Sequence, residues 1–375
     1  MPTQIKTPKD AEDFVRGCTL LGTGGGGDPK KGLKLLLEDL EQGLKIKFED
    51  SREIDDNVYT ACPFLMGSIA PLTEEIKRKM KFYGLEKKVV DRILAAAVKE
   101  LEEYTGKKIS ALVPIELGGQ NTPAGVDAAV RLGLTVVDGD YTGRAIPEIE
   151  QTTPAISNKP MLPITSVDEW GNKAIIKNAV NYRVAENIGK LISVAAFGLA
   201  GQAGFLMPAK DMKEVVLRGT LTQCLELGRT IREAREQGKD PVKAAADYLD
   251  GRVLFKGEIF KKEADDKEGY YWGTNYIKGI EDFKGHTFKI WFKNENHVSW
   301  FDDEPYVTSP DIIAVVDLKT GEPITNTNTA PGMKVAVIGA KSPEIWRTPK
   351  GLEVLSPPHF GFEDIQWKPI EKIVY

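Results

Sequence analysis

The densest chemistry in the sequence lies between Asp138 and Glu148. Asp138, Asp140 and Glu148 fall with Arg144 inside 11 residues, in the run Val136-Val137-Asp138-Gly139-Asp140-Tyr141-Thr142-Gly143-Arg144-Ala145-Ile146-Pro147-Glu148. Carboxylates so spaced can act as general base and acid, or bind a divalent cation through oxygen. The plainer alternative is an Arg–Asp pair that braces a loop. A second candidate is Gly22-Thr23-Gly24-Gly25-Gly26-Gly27-Asp28-Pro29. Gly22, Gly24 and Gly27 match the G-x-G-x-x-G dinucleotide fingerprint, and Glu49 and Asp50 follow where a ribose-binding acid would sit. Two features weigh against a dinucleotide. The residues before the loop read as helix rather than strand, and the Asp28 carboxylate would repel a pyrophosphate from the helix N-terminus. Four consecutive glycines cost chain entropy, which favours a loop whose N–H groups approach a ligand over a simple turn.

Two further runs carry polar groups that could read a substrate. Glu116-Leu117-Gly118-Gly119-Gln120-Asn121-Thr122-Pro123 follows a strand, with Asn121 or Thr122 as an ordinary helix cap in the alternative reading. Phe292-Lys293-Asn294-Glu295-Asn296-His297 breaks strand alternation, so it forms a polar turn or turns one polar group toward the apolar face.

The elements that must position these groups change character along the chain. Up to about residue 160, helix signals alternate with short apolar runs. Asp28 and Pro29 start a helix that stops at Gly43, Ile109–Ile115 and Leu134–Val137 read as strands, and 74–104 as a long helical region broken near Gly84. This alternation predicts an α/β N-terminal domain with a mainly parallel sheet, over 1–165. The remainder, 166–375, predicts helices over Val184–Leu206 and Asp211–Gln237, then a β-rich, barrel-like domain of short strands from Arg252 onward. In an open parallel sheet the carboxyl ends of the strands share one edge. The loops at Gly67-Ser68, Glu116–Asn121 and Asp138–Glu148, together with the glycine-rich loop, should therefore meet in one cleft.

Composition narrows the chemistry. With 375 residues and a net charge of −5, the chain has no basic field for nucleic acid or an anionic membrane. Its three His (His286, His297, His359) and three Cys (Cys18, Cys62, Cys224) exclude a four-cysteine zinc site and argue against a disulfide scaffold. The N-terminal run has no apolar signal core, and the sparse cysteines fit a reducing compartment, so the expected location is cytoplasmic. The apolar stretch Leu191–Pro208 is short and glycine-rich, and reads as a buried segment rather than a membrane span.

The order of LGTGGGGDP at 21–29, ELGGQNTP at 116–123, VVDGDYTGRAIPE at 136–148, FKNEN at 292–296, SPDIIAVVD at 309–317 and SPPHFGFE at 356–363 resembles the S-methyl thiohydantoin desulfurase family over nearly the whole chain. The resemblance implies two domains and hydrolytic chemistry on a five-membered cyclic amide or thio-amide, with water replacing a sulfur substituent between the two ring nitrogens. It also implies a divalent metal ion as a candidate helper, with no ligand set named, and no organic cofactor. On this reading Asp138, Asp140, Arg144 and Glu148 are the catalytic candidates: Asp138 or Asp140 as base or metal ligand, Arg144 facing a substrate carboxylate or orienting the acids. The backbone N–H groups of Gly24, Gly25, Gly26 and Gly27 would hold the developing anion, with Asp28, Glu116 and Asn121 beside them as substrate-binding residues, while Asn294, Glu295 and Asn296 read the ring's amide edge. His297 and His359 depart from the family pattern near these contacts. The competing expectations are a dinucleotide-binding oxidoreductase and a non-catalytic subunit of a hydantoinase-type system. A small-molecule substrate and a homo-oligomer are expected, without nucleic-acid or membrane partners.

Overall fold

The computed structural model describes residues 3–67 and 73–373; Ser68, part of one expected cleft loop, lies outside them. The chain opens with β1 (Thr3–Ile5), α1 (Pro8–Leu21), α2 (Pro29–Glu41), β2 (Ile46–Glu49) and β3 (Tyr59–Met66). Then come α3 (Glu74–Phe82), α4 (Ile93–Thr105), β4 (Ile109–Leu112), α5 (Asn121–Leu132), β5 (Thr135–Val137) and β6 (Gly139–Asp140). The middle holds α6 (Thr153–Ile156), β7 (Ile164–Asp168), β8 (Lys173–Ile176), α7 (Tyr182–Ala195), β9 (Ala200–Pro208) and α8 (Ala209–Val215). After β10 (Leu217–Arg218), α9 (Thr220–Glu236) and α10 (Pro241–Tyr248) come β11 (Arg252–Lys267), β12 (Tyr270–Gly279), β13 (Thr287–Lys293) and β14 (Glu295–Phe301). β15 (Glu304–Thr308), β16 (Ile312–Asp317), β17 (Lys334–Ala340) and α11 (Pro349–Leu355) complete the order.

The first sheet runs β1-β2-β5-β4-β3-β9-β7-β8. Its centre, β2-β5-β4-β3, is parallel, as strands separated by helices require; β1, β9, β7 and β8 add antiparallel flanks. The second sheet is antiparallel, in the order β15-β14-β13-β12-β11-β17-β16. It curls until Asn296 on β14 donates to the Ile313 carbonyl on β16 (2.8 Å). The fold is thus α/β followed by a β-rich, half-barrel unit. Among the described residues no helix is long and apolar enough to cross a membrane.

Strand periodicity joins the two sheets. On β16 and β17, Ile312, Ala314, Val316, Ala336 and Ile338 share a core with α1, α9 and α10, while Ile313, Val315, Val335 and Val337 fill the half-barrel. The helices between the sheets pack backbone to backbone. A Cβ on Gly17 of α1 would lie 1.8 Å from the Cys224 carbonyl oxygen, and one on Gly228 of α9 would lie 1.7 Å from that of Asp13.

Local signals placed several boundaries. Asp28 caps α2 by accepting from the Lys30 N–H (3.0 Å), with Pro29 at its first position. The expected helix over Val184–Leu206 is a correction: α7 stops at Ala195, and Ala200–Pro208 is a strand between β3 and β7. Its small residues are needed for close packing, since a Cβ on Gly201 would sit 2.6 Å from the Ile93 carbonyl carbon. Of the apolar stretch Leu191–Pro208, expected to be buried, this strand largely is, whereas Leu191 and Val194 on α7 are exposed.

Candidate functional site

The glycine-rich loop is wedged between the 116–121 loop and the β13–β14 hairpin. Thr23, Gly24, Gly26 and Gly27 all have positive φ (47°, 93°, 74° and 86°). Side chains would also collide here: a Cβ on Gly25 would lie 1.8 Å from Glu295 Oε1, and one on Gly26 would lie 2.3 Å from the Gly118 Cα. The loop's carbonyls are tied to all its neighbours. Gly26 accepts from the Gln120 N–H (2.9 Å), Thr23 from Asn296 (2.7 Å) and Gly24 from Asn326 (2.7 Å). The loop follows helix α1, without the strand that a dinucleotide fingerprint needs. Its glycines serve close backbone approach between three chain segments.

A cavity of about 270 Å³ opens where these segments meet. Of the residues singled out from the sequence, Gly26, Gly27, Asp28, Glu116, Asn121, Glu148, Asn294 and Glu295 line it. Gly67, at the end of β3, also reaches it. The turn left open in the sequence is a hairpin, with Asn294 at φ 58° and its Oδ1 accepting from the Tyr271 N–H (2.8 Å).

Glu116 and Glu295 are both buried. Glu116 Oε1 accepts from Asn121 Nδ2 (2.8 Å) and Oε2 from the Ile146 N–H (2.9 Å). Burial, reinforced by the nearby Asp140 charge, outweighs these hydrogen bonds and pushes its pKa up to about 7. Glu295 Oε1 accepts from the Gly26 N–H (3.3 Å), while Oε2 has no hydrogen-bond partner among the described residues. Burial and then the Glu116 charge push Glu295 well above the usual carboxylate range. One cavity therefore holds two buried carboxyl groups that both bind their protons more tightly than ordinary carboxylates, Glu116 at about 7 and Glu295 raised well above the usual range.

The remaining candidates lie elsewhere. Asp138 accepts from the Thr222 N–H (3.0 Å) and Thr222 Oγ1 (2.5 Å), tying β5 to α9. Asp140 has no exposed surface, and its Oδ2 accepts from Thr142 N–H, Thr142 Oγ1 and Gly143 N–H (2.9, 2.9 and 2.7 Å). Burial pushes its pKa up to about 6. Arg144, also fully buried, donates to Thr23 Oγ1 (3.0 Å) and to the Asn296 (3.0 Å), Pro310 (2.9 Å) and Ala145 (3.0 Å) carbonyls. Burial lowers its pKa to about 10. None of these three lines the cavity; the short sequence spacing reflects a tight turn that turns them inward on protein partners, although Asp140 Oδ1 is left without a hydrogen-bond partner among the described residues. Gly24, Gly25 and Asn296 form the layer behind it, Asn296 Oδ1 accepting from Asn326 Nδ2 (2.9 Å).

Glu148 lines the cavity but is fully engaged. It pairs with Lys293 and with His359 Nε2 (2.6 Å). Burial opposes its ionisation, but the His359 hydrogen bond and the Lys293 charge prevail and hold its pKa at about 2. Glu148, Glu150 and His359 bring donor atoms within 4.8 Å of one another, the one such group among the described residues. A divalent ion fits poorly there, because Lys293 already meets Glu148, and Arg183 Nε meets Glu150 Oε1 at 2.9 Å. The carboxylates are balanced without a metal. Of the two unusual histidines, His359 thus meets the cavity-lining Glu148 and itself lines a second pocket with Glu150 and Tyr270, whereas His297 is fully buried, its ring tilted on that of Phe360 with centroids 3.9 Å apart.

Sequence reasoning missed Glu186 and Lys190 of α7, which also line the cavity. Burial pushes the Glu186 pKa up. Lys190 Nζ lies 4.2 Å from the Tyr270 ring centroid and 3.7 Å from Glu186 Oε1. The available signal was their i,i+4 spacing on a face shared with Ala185, Gly189 and Ser193, all small and buried.

The whole architecture is similar to the crystal structure of a protein from Chromobacterium violaceum, with a TM-score of 0.78 and 20% identity, covering 98% of this chain and 100% of that chain. That likeness carries the fold alone. None of the curated proteins matches the chain. Family models do: the S-Me-THD-like N-terminal domain over residues 9–178 and the S-Me-THD-like C-terminal domain over 180–370. The chain belongs to this S-methyl thiohydantoin desulfurase-like family.

Proposed function

We propose that the chain is a hydrolase acting on S-methyl thiohydantoin-type rings, with Glu116 as general base and Glu295 as general acid. The observation that carries this reading is the pair of buried carboxyl groups in one cavity with different proton affinities. Water adds to the ring carbon between the two nitrogens, giving one proton to the Glu116 carboxylate while Glu295 protonates the ring nitrogen. The adduct then collapses. Its hydroxyl proton returns to Glu295, the carbon–sulfur bond breaks, and the leaving thiolate takes the proton held by Glu116. The products are the cyclic amide and methanethiol, and both carboxyl groups regain their starting states. Lys190 supplies positive charge beside the developing anion.

The test is methanethiol release from an S-methyl thiohydantoin by the purified chain, followed with a thiol reagent across pH. Activity should climb as pH rises through about 7, as Glu116 ionises. Glu116→Gln should lower kcat by about 10²–10⁴. Wild-type turnover in that variant, or no thiol release by the native chain, would remove the proposal.

A further inference from the structure

The cavity has two chemically different walls. The polar wall is continuous through hydrogen bonds, from Glu295 to Gly26 to Asn121 to Glu116. The apolar wall is built from Met66 at the end of β3, from Trp170, and from Phe197 and Leu199 in the turn between α7 and β9. Several contacts hold this wall together. Met66 pairs with Ala200 across β3 and β9, and Trp170 Nε1 donates to the Ala196 carbonyl (2.8 Å). A Cβ on Gly67 would lie 3.1 Å from Leu199 Cδ2. The two walls join where Asn121 Oδ1 accepts from the Leu65 N–H (3.0 Å).

Phe197 adds an independent observation. Its φ is 57°, a left-handed conformation that a bulky side chain adopts only at a cost. A glycine would satisfy this turn more cheaply, yet the position carries an aromatic ring that lines the cavity and meets the Tyr83 ring at 5.6 Å. The Lys88 ammonium near this wall is already paired with Glu169 (2.6 Å), whereas the cavity's other lining cations are Lys31 and Lys190, the latter on α7 with Glu186.

Resting on the hydrolase reading, we infer that the substrate ring carries an apolar substituent, alkyl or aryl, seated against Trp170, Phe197 and Leu199. The polar wall then handles the ring and the apolar wall sets specificity. Removing such a substituent from a hydrophobic site costs about 10- to 100-fold in kcat/KM.

The experiment compares S-methyl thiohydantoins with hydrogen, benzyl, isobutyl or carboxymethyl at the ring carbon, measuring kcat/KM on the native chain, Phe197→Ala and Leu199→Ala. Benzyl and isobutyl rings should exceed the bare and carboxymethyl rings by about 10- to 100-fold. The benzyl-to-bare ratio should fall about tenfold in a folded variant. Equal use of bare or carboxymethyl rings would overturn the inference and leave the hydrolase reading standing. If no ring turns over, the hydrolase reading falls. Calorimetric affinities of the same rings for the native chain then decide the inference: tighter binding of apolar rings supports it, and equal binding overturns it.

Discussion

Replacing Glu295 by Gln separates chemistry from architecture. A protonated Glu295 and a glutamine have nearly the same shape, and the glutamine oxygen can still accept from the Gly26 N–H as Oε1 does. The variant should therefore keep native stability within about 1 kcal/mol near pH 4, where Glu295 is protonated in both the folded and the unfolded chain, a value taken from ordinary net hydrogen-bond energies. Glu295→Ala should cost more, about 1–3 kcal/mol, because it leaves the Gly26 N–H buried without its acceptor. Catalysis should respond in the opposite order of subtlety. Glutamine cannot give up a proton, so kcat should fall about 10²–10⁴-fold, equivalent to about 3–5 kcal/mol of barrier.

The pH dependence follows from the direction of the shift. The folded-state pKa of Glu295 lies well above its ordinary value of 4.5. Its contribution to stability is full below 4.5 and is lost as pH rises toward the folded value, because the unfolded chain ionises first. Glu295→Gln stays neutral throughout, so the variant should gain stability relative to the native chain as pH rises. Urea unfolding at several pH values, with thiol release measured on the same samples, reads both effects. Native-like kcat in Glu295→Gln, or a stability difference that does not change with pH, would refute the assignment of Glu295 as a buried, protonated acid.

Three other outcomes are expected. Gly25→Ala should lower kcat at least about tenfold, because its Cβ would fall 1.8 Å from Glu295 Oε1 and displace the carboxyl; steady-state kinetics on the folded variant checks this. Arg144→Met should destabilise by about 3–5 kcal/mol in urea unfolding, since Thr23 Oγ1 and the Asn296, Pro310 and Ala145 carbonyls would each lose a charged donor. Prolonged chelation should leave turnover within about twofold, given that pairing with Lys293 and Arg183 already balances Glu148 and Glu150. Loss restored by adding back a divalent metal would contradict that balance.

Much of the frame was readable from short-range signals. Asp28-Pro29 starts α2 because a cap and a pre-set φ act within one turn, and a half-barrel strand such as Ile312–Asp317 declares itself as a short β-branched apolar run, buried on both faces. The convergence of the 116–121 loop, Glu148 and the glycine-rich loop on one cavity followed from parallel topology. The strand Ala200–Pro208 escaped because its alanines and glycines carry little periodicity; its state was decided by pairing with β3 and β7.

The chemistry divides differently. By itself the sequence determined the family and the candidate loops, since ordered motifs and glycine runs are properties of neighbouring residues. It also drew attention to Asp138, Asp140 and Arg144, which are dense in the chain but spend their polar atoms on Thr222, Thr142, Gly143 and the carbonyls around them. Only the tertiary structure brought Glu116 and Glu295 into one cavity, beside Glu148 and Glu186, and raised the proton affinity of both. Proton affinity in a carboxyl group is set by burial and by charges that folding brings near, and Glu295 meets Gly26 across 269 residues of sequence. Spacing along the chain carries no record of that environment.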